Sequence, residues 1–123
     1  METNKTFTRE VFFTEAYNEF YNSLPEQAKV KFDRIISVIQ NTKVIPANLV
    51  CHLINTEFYE LRVKVSHNEY RSLLFTINHN NIMESTSVIL LNGFFKKDTK
   101  DYRKAISIAR TLISNYKSTE DEN

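Results

Sequence analysis

The stretch FYELRVKVSHNEYRSLLFTI, Phe58 to Ile77, decides the fold of this 123-residue chain. Two strand-like runs, Phe58 to Val65 and Glu69 to Ile77, flank the polar break Ser66-His67-Asn68. A break this short predicts a β-hairpin. Alternation along the first run puts Tyr59, Leu61, Val63 and Val65 on one face. Phe58, Glu60, Arg62 and Lys64 fall on the other. The apolar set must cover helices, so Arg62 and Lys64 share the open face, about 7 Å apart along the strand. Downstream, past a second polar break at Asn78 to Asn81, SVILLNGFFKK (Ser87 to Lys97) is nearly continuously apolar. That pattern predicts a central strand covered on both faces.

Upstream of the hairpin, Phe7 to Phe13 reads as a short first strand, with Phe7, Arg9, Val11 and Phe13 on one face. Thr14 can cap a following helix in which Tyr17, Phe20, Tyr21 and Leu24 recur at helical spacing. Ser23-Leu24-Pro25-Glu26 reads as a capping box with Pro in the first turn. It opens a second helix with the stripe Ala28, Phe32, Ile35, Ile36 and Ile39. Two helices joined this tightly form a helical hairpin. Val44 to Asn55 reads as loop with at most a helical turn. The last helix, Lys100 to Lys117, gathers Tyr102, Ala105, Ile106, Ala109, Leu112, Ile113 and Tyr116 on one face. The order strand, two helices, three strands, helix predicts an α+β fold. The expectation is a small, mainly antiparallel sheet with the helices on one side. Residues 1–117 form a single domain, and 118–123 a flexible acidic tail.

Composition narrows the function. A 41% hydrophobic and 25% charged chain is ordinary for a soluble globular domain. The formal net charge of +1 gives no global signal for nucleic acid, so that reading must rest on local clustering. Cys51 is the lone cysteine, which rules out an intrachain disulfide and reads as a small buried hydrophobe. METNKTFTREVFF lacks a signal-peptide pattern and no apolar run reaches membrane-spanning length, so a cytoplasmic protein without membrane attachment is expected. The single glycine, Gly93, excludes Gly-rich phosphate loops. His52, His67 and His79 lack partners at metal-ligand spacing and the acidic residues are dispersed, so neither metal nor cofactor is expected.

The cations carry the remaining signal. Arg71 opens the strand after the hairpin turn, and Lys96 and Lys97 end the third strand. Pairing the three strands brings them towards Arg62 and Lys64. Residue types alone leave two alternatives, a solvated face with scattered charges or a site for a polyanion, with RNA the leading candidate. For phosphate chemistry Arg71 offers a fork for two oxygens. Lys64 can act as a base only if neighbouring Arg62 and Arg71 depress its pKa. His67, in the hairpin loop, is the other candidate acid or base.

The run from FYELRV through YRSLLFTI to LLNGFFKK, followed by the Tyr102 to Tyr116 helix, resembles the RelE/HigB-type toxins of bacterial toxin–antitoxin systems. It is most similar to the HigB-like, phage-derived branch, where a "LYELR" strand precedes a hairpin and an "HGF-x-KK" strand end. This chain has Asn92 where that branch often has His. The resemblance implies a RelE-like fold over about residues 7–117, with an N-terminal helical hairpin and a C-terminal helix. It implies a toxin that cuts mRNA in the A site of the 70S ribosome without a metal, by attack of the 2′-hydroxyl on the adjacent phosphodiester. By motif position Lys64, Arg71, Lys97 and Tyr102 would be catalytic and Arg62 and Lys96 would bind RNA; His67, from its place in the hairpin loop, joins the catalytic set, and Lys100 joins the RNA-binding set. The partner implied is a cognate antitoxin, a helix-turn-helix DNA-binding protein. Two alternatives share the fold: a ParE-like gyrase inhibitor that cuts no RNA, and a catalytically degenerate binding module.

Overall fold

The computed structural model describes residues 7–122. The deciding stretch folds as its pattern predicts. Strands β3 (Phe58–Val65) and β4 (Asn68–Thr76) are antiparallel, with Ser66-His67 as the turn. Ser66 takes φ 57°, the left-handed region that such two-residue turns require. β5 (Ser87–Lys96) pairs antiparallel with β4 and parallel with β1 (Glu10–Phe13). β2 (Val50–His52) pairs antiparallel with β3. The result is a five-stranded sheet in the order β1-β5-β4-β3-β2. β5 is interior, and Val88 to Asn92 are buried, as a continuously apolar strand requires.

Helices α1 (Glu15–Asn22) and α2 (Glu26–Asn41) form the expected hairpin. Thr14 caps α1, its hydroxyl accepting from Tyr17 N at 3.0 Å. The capping box at Ser23 does not form. Pro25 is the N-cap of α2, and the Ser23 hydroxyl donates instead to Phe20 O at 2.7 Å, closing off α1. The α1–α2 pair packs on the sheet face that carries Leu61, Val63, Leu74, Val88 and Leu90. α3 (Lys100–Glu122) packs on the opposite face, against Phe58, Leu73, Ile89 and Leu91. Helices therefore cover both faces, not one. Phe58 and Leu91 called for this, since each points away from the α1–α2 layer and needs its own cover.

Three further differences have local causes. β2 lies within the segment read as loop; three residues beside Pro46 are too short for a periodic signal, and pairing with β3 makes the strand. α3 continues past Lys117 to Glu122, because Ser118 to Glu122 contains no Gly or Pro to stop it although the apolar stripe has ended. The acidic segment 118–123 is thus helical up to Glu122, and Asn123 lies outside the described residues. Arg9 precedes β1, and its buried guanidinium bonds five main-chain carbonyls, those of Ser85, Ile39, Thr42, Lys43 and Ile82. It ties the C-terminal end of α2 to the loop before β5. Among the described residues no helix is long and apolar enough to cross a membrane.

Candidate functional site

Strand register places the cations. On the α3 side of the sheet three cross-strand rows follow one another, about 7 Å apart. The first is Cys51, Glu60 and Leu73; the second Arg62, Arg71 and Phe94; the third Lys64, Glu69 and Lys96. α3 covers the first row and leaves the other two at the edge of its N-terminal turn. A β-bulge in β5, between the pairs Ser72/Gly93 and Leu74/Leu90, sets the third strand's contribution. Asn92 there sits under α3, donating from Nδ2 to Ala105 O at 3.1 Å, and the alternation shifts by one residue. The shift turns Lys96 towards the rows and Lys97 away from them.

Arg62 and Arg71 stand directly opposite, a like-charge pair that is unfavourable alone. Two carboxylates offset it from the adjoining rows. Arg71 is 4% exposed and its guanidinium is engaged on every nitrogen. Nε donates to Tyr102 Oη at 3.0 Å and lies 3.3 Å from Glu60 Oε1. Nη1 donates to Tyr70 O at 3.1 Å, and Nη2 to Glu69 Oε1 at 2.6 Å. Tyr102 Oη donates in turn to Glu60 Oε1 at 2.6 Å. The other Glu60 oxygen accepts from Cys51 Sγ at 3.6 Å and lies 3.8 Å from Arg62 Nε. Glu60, itself 5% exposed, is the hub.

The connection into α3 fixes Tyr102. Asp101 Oδ2 accepts from Lys97 N at 2.7 Å and Asp98 N at 3.0 Å, and Asp98 Oδ1 accepts from Lys100 N at 3.0 Å. These bonds hold the first turn so that the Tyr102 ring lies edge-on to Phe94, centroids 5.2 Å apart. The Asp98 and Lys97 amides also draw the Asp101 carboxyl below its ordinary range. Burial, reinforced by the bond to Glu60, pushes the Tyr102 hydroxyl up to about 12. Burial alone would lower the Arg71 pKa, but Tyr102, Glu69 and Glu60 outweigh it and raise it. Hydrogen bonding to Arg71 draws the Glu69 carboxyl down.

Exposed Arg62 and Lys64 line a concavity of about 250 Å³ with Asn48, Val63, Glu69 and Arg71. A second hollow of about 310 Å³ shares Asn48, Arg62, Val63 and Lys64 and adds Lys31 and Arg34 of α2. The basic surface therefore continues around the β3 edge onto the helical hairpin, where Lys31 Nζ donates to Lys64 O at 2.7 Å. A larger groove of about 700 Å³ lies away from these cations, between α3 and the loop after β2.

Of the residues singled out in the sequence, Arg62, Lys64, Arg71, Lys96 and Tyr102 come together. Lys97 does not: its Nζ lies 5.4 Å from the Phe95 ring centroid, on the far side of the bulge-shifted strand. His67 is exposed in the turn, beyond the last register pair and four residues from Arg71, so about 13 Å from the Arg62–Arg71 pair. Lys100 is exposed at the start of α3. The Arg71 fork expected to take two phosphate oxygens is occupied within the chain, its nitrogens serving Glu60, Glu69, Tyr102 and a carbonyl. Sequence reasoning missed Glu60 and Glu69 as members of the site, and Lys31, Arg34 and Asn48 at its rim. A carboxylate inside the apolar run FYELR was the available signal for Glu60, and the Lys31/Arg34 pair on the polar face of α2 for the rim. Among the described residues no group of three or more His, Cys, Asp or Glu side chains is placed to hold a metal.

The profile of the family described as "Phage derived protein Gp49-like (DUF891)" matches residues 19–114. Among solved structures, a mutant of the E. coli toxin RelE in its free state superposes with a TM-score of 0.58. The identity is 16%, over 81% of this chain and 96% of that one. A chain of the intact E. coli RelBE toxin–antitoxin complex superposes with a TM-score of 0.52 at 16% identity, over 73% of this chain and 99% of that one. At these identities the likeness is one of fold. No curated protein matches the sequence.

Proposed function

The chain belongs to the phage-derived Gp49-like family, and we propose that it is the toxin of a type II toxin–antitoxin pair, a ribosome-dependent mRNA endoribonuclease acting in the cytoplasm. The observation that carries this reading is the concavity in which Arg62 and Lys64 meet the Arg71–Tyr102–Glu60 cluster, on a RelE-like fold. In the reaction the 2′-oxygen bonds to phosphorus as the bond to the 5′-oxygen breaks, leaving a 2′,3′-cyclic phosphate and a 5′-hydroxyl. Neither step needs a metal. Arg62, Lys64 and Lys96 face the charge that builds on the phosphoryl oxygens, and one such contact contributes about 3 kcal/mol. Lys64, one row from Arg62 and nearer the site than His67, takes the 2′-hydroxyl proton as the free amine and so becomes the cation beside the developing charge. Tyr102, protonated at neutral pH, gives the proton it shares with Glu60 to the leaving oxygen, and the Arg71 Nε donor holds the phenolate left behind. Lys100, Lys31 and Arg34 extend the RNA path. A site with its strongest cation already paired acts slowly on free RNA and depends on the ribosomal A site to orient the strand. The partner of such a toxin is a cognate antitoxin, in this branch a helix-turn-helix DNA-binding protein.

One observation favours a second reading, a binding module that cuts no RNA: the Arg71 guanidinium is turned inward and bonded on every nitrogen. The two are separated by primer extension on mRNA in a defined translation reaction, with and without ribosomes, for wild type, Lys64→Ala and Arg71→Lys. Ribosome-dependent cuts that fall at least a hundredfold in Lys64→Ala establish the nuclease and its site. Intact mRNA with folded wild-type protein overturns the nuclease and leaves the binding module. Undiminished cutting by both variants overturns the site.

A further inference from the structure

The face opposite the cations carries a second, differently built hollow. Phe13, Tyr17, Asn18, Tyr21, Asp33 and Ile36 line a cavity of about 310 Å³ where β1, α1 and α2 meet. Its walls are aromatic: Phe13 and Tyr17 centroids are 5.4 Å apart, Tyr17 and Tyr21 6.1 Å. Tyr17 is 2% exposed, yet its hydroxyl has no hydrogen-bond partner. An orphan buried hydroxyl costs about 1–3 kcal/mol, so its retention calls for an explanation. Asp33 is exposed at the rim and already accepts from Tyr21 Oη at 2.9 Å, with further lone pairs to offer. Asp33 and Tyr21 both act electrostatically on Tyr17, so the three oxygens share one neighbourhood.

Aromatic faces, an unused hydroxyl oxygen and a carboxylate together suit a cation carried on an apolar stem. The ring of Tyr21 already has the chain's own Lys29 Nζ at 5.6 Å from its centroid. The surroundings have the matching sign: α1 carries Glu15 and Glu19 and no basic residue, and Glu26 also acts on Tyr21. At the hollow itself Asp33, Glu15, Glu19 and Glu26 outnumber Lys29, which favours a basic partner. Beside it Phe12 and Phe13, on the outermost strand, are 40% and 43% exposed.

We infer that this hollow is a docking site for an arginine or lysine side chain of a protein partner, on the face away from the basic rows. The guanidinium or ammonium stands against the Tyr17 and Tyr21 rings, donates to Tyr17 Oη and pairs with Asp33. The inference does not rest on the nuclease reading, and it allows a partner to bind while the cationic concavity stays open.

The test is an NMR titration of the full chain with Nα-acetyl-arginine amide, and with its neutral isostere Nα-acetyl-citrulline amide, reading the Tyr17 and Tyr21 ring resonances. The expected result is saturable shifts with a Kd of about 10 mM for arginine, and at least tenfold weaker binding of citrulline. Asp33→Asn and Tyr17→Phe each weaken arginine binding several-fold. Tyr17→Phe also leaves the melting temperature unchanged or raised, since it deletes an unpaired hydroxyl. Equal binding of the two probes, no saturable shift with arginine, or unchanged affinity in both variants overturns the inference.

Discussion

Replacing Arg71 by Met tests whether the Arg71–Glu60–Tyr102 cluster is first a structural device. Met keeps most of the aliphatic volume, so the change reads the charge. It leaves Glu60, 5% exposed, with Tyr102 and Cys51 as donors and the exposed Arg62, 3.8 Å away, as its one remaining counter-charge among the described residues. Stranding one member of a buried ion pair costs about 3–5 kcal/mol. With a urea slope of about 1.5 kcal/mol per molar for a domain this size, the midpoint falls by about 2–3 M. Glu60→Gln in the same background removes the stranded charge, keeps an oxygen for Tyr102, and recovers about half the loss. The assay is equilibrium urea unfolding of the four proteins of the double-mutant cycle, followed by circular dichroism. A midpoint for Arg71→Met within about 0.5 M of wild type refutes the reasoning, as does a double variant no more stable than Arg71→Met alone.

Arg9→Met should cost at least about 3 kcal/mol, because it orphans carbonyls at the end of α2 and before β5 rather than losing one bond; thermal unfolding measures it. Gly93→Ala drives a methyl into the Phe20 ring and should cost about 1–3 kcal/mol, with Phe20→Leu in the same chain recovering part of it. At acid pH the depressed Asp101 carboxyl contributes stability that is present above the ordinary carboxylate pKa and lost as pH falls through the depressed one. Asp101→Asn should flatten that acid limb in unfolding measured between about pH 5 and 2. At alkaline pH the direction reverses: Tyr102, raised from 10.0 to about 12, contributes stability that is complete below the first value and lost towards the second. Tyr102→Phe should lose less stability than wild type over that window.

Hairpin, helical pair and final helix were legible because each is a local pattern: period 2 around a short break, or period 3.6 behind a cap. The second helical layer was legible in principle, since Phe58 and Leu91 face away from α1 and α2. Its sign was missed because Arg62 and Lys64 on the same strand face argued for an open surface, and one face proved to be half covered and half open. Lys96 and Lys97 could not be ranked from sequence. The bulge at Leu91-Asn92 inverts the alternation after it, and bulges follow from tertiary fit rather than local propensity. His67 looked close to Lys64 along the chain, but a hairpin turn carries it away from the rows by strand rise alone. Arg71 was found by position while its state was not: whether an arginine is free or paired depends on which carboxylates register brings beside it. Gly93, noted for the phosphate loops it excludes, proves to be a packing glycine under Phe20.

Register also explains why this face holds its cations without a strongly basic chain. Arg62 opposite Arg71 is a repulsive pair, and the fold keeps it by placing Glu60 one row behind and Glu69 one row ahead. Glu69 serves twice, since Lys96 Nζ lies 4.0 Å from the oxygen that accepts from Arg71. An incoming phosphate at these rows must displace a carboxylate contact, not only water. Exchange of one anion for another has little net driving force unless something else fixes the phosphate in place. The exposed cations Arg62 and Lys64 supply attraction, and the Arg71 cluster supplies geometry. Such a surface discriminates by position more than by charge: a strand presented by a larger scaffold gains from it, and one diffusing freely gains little.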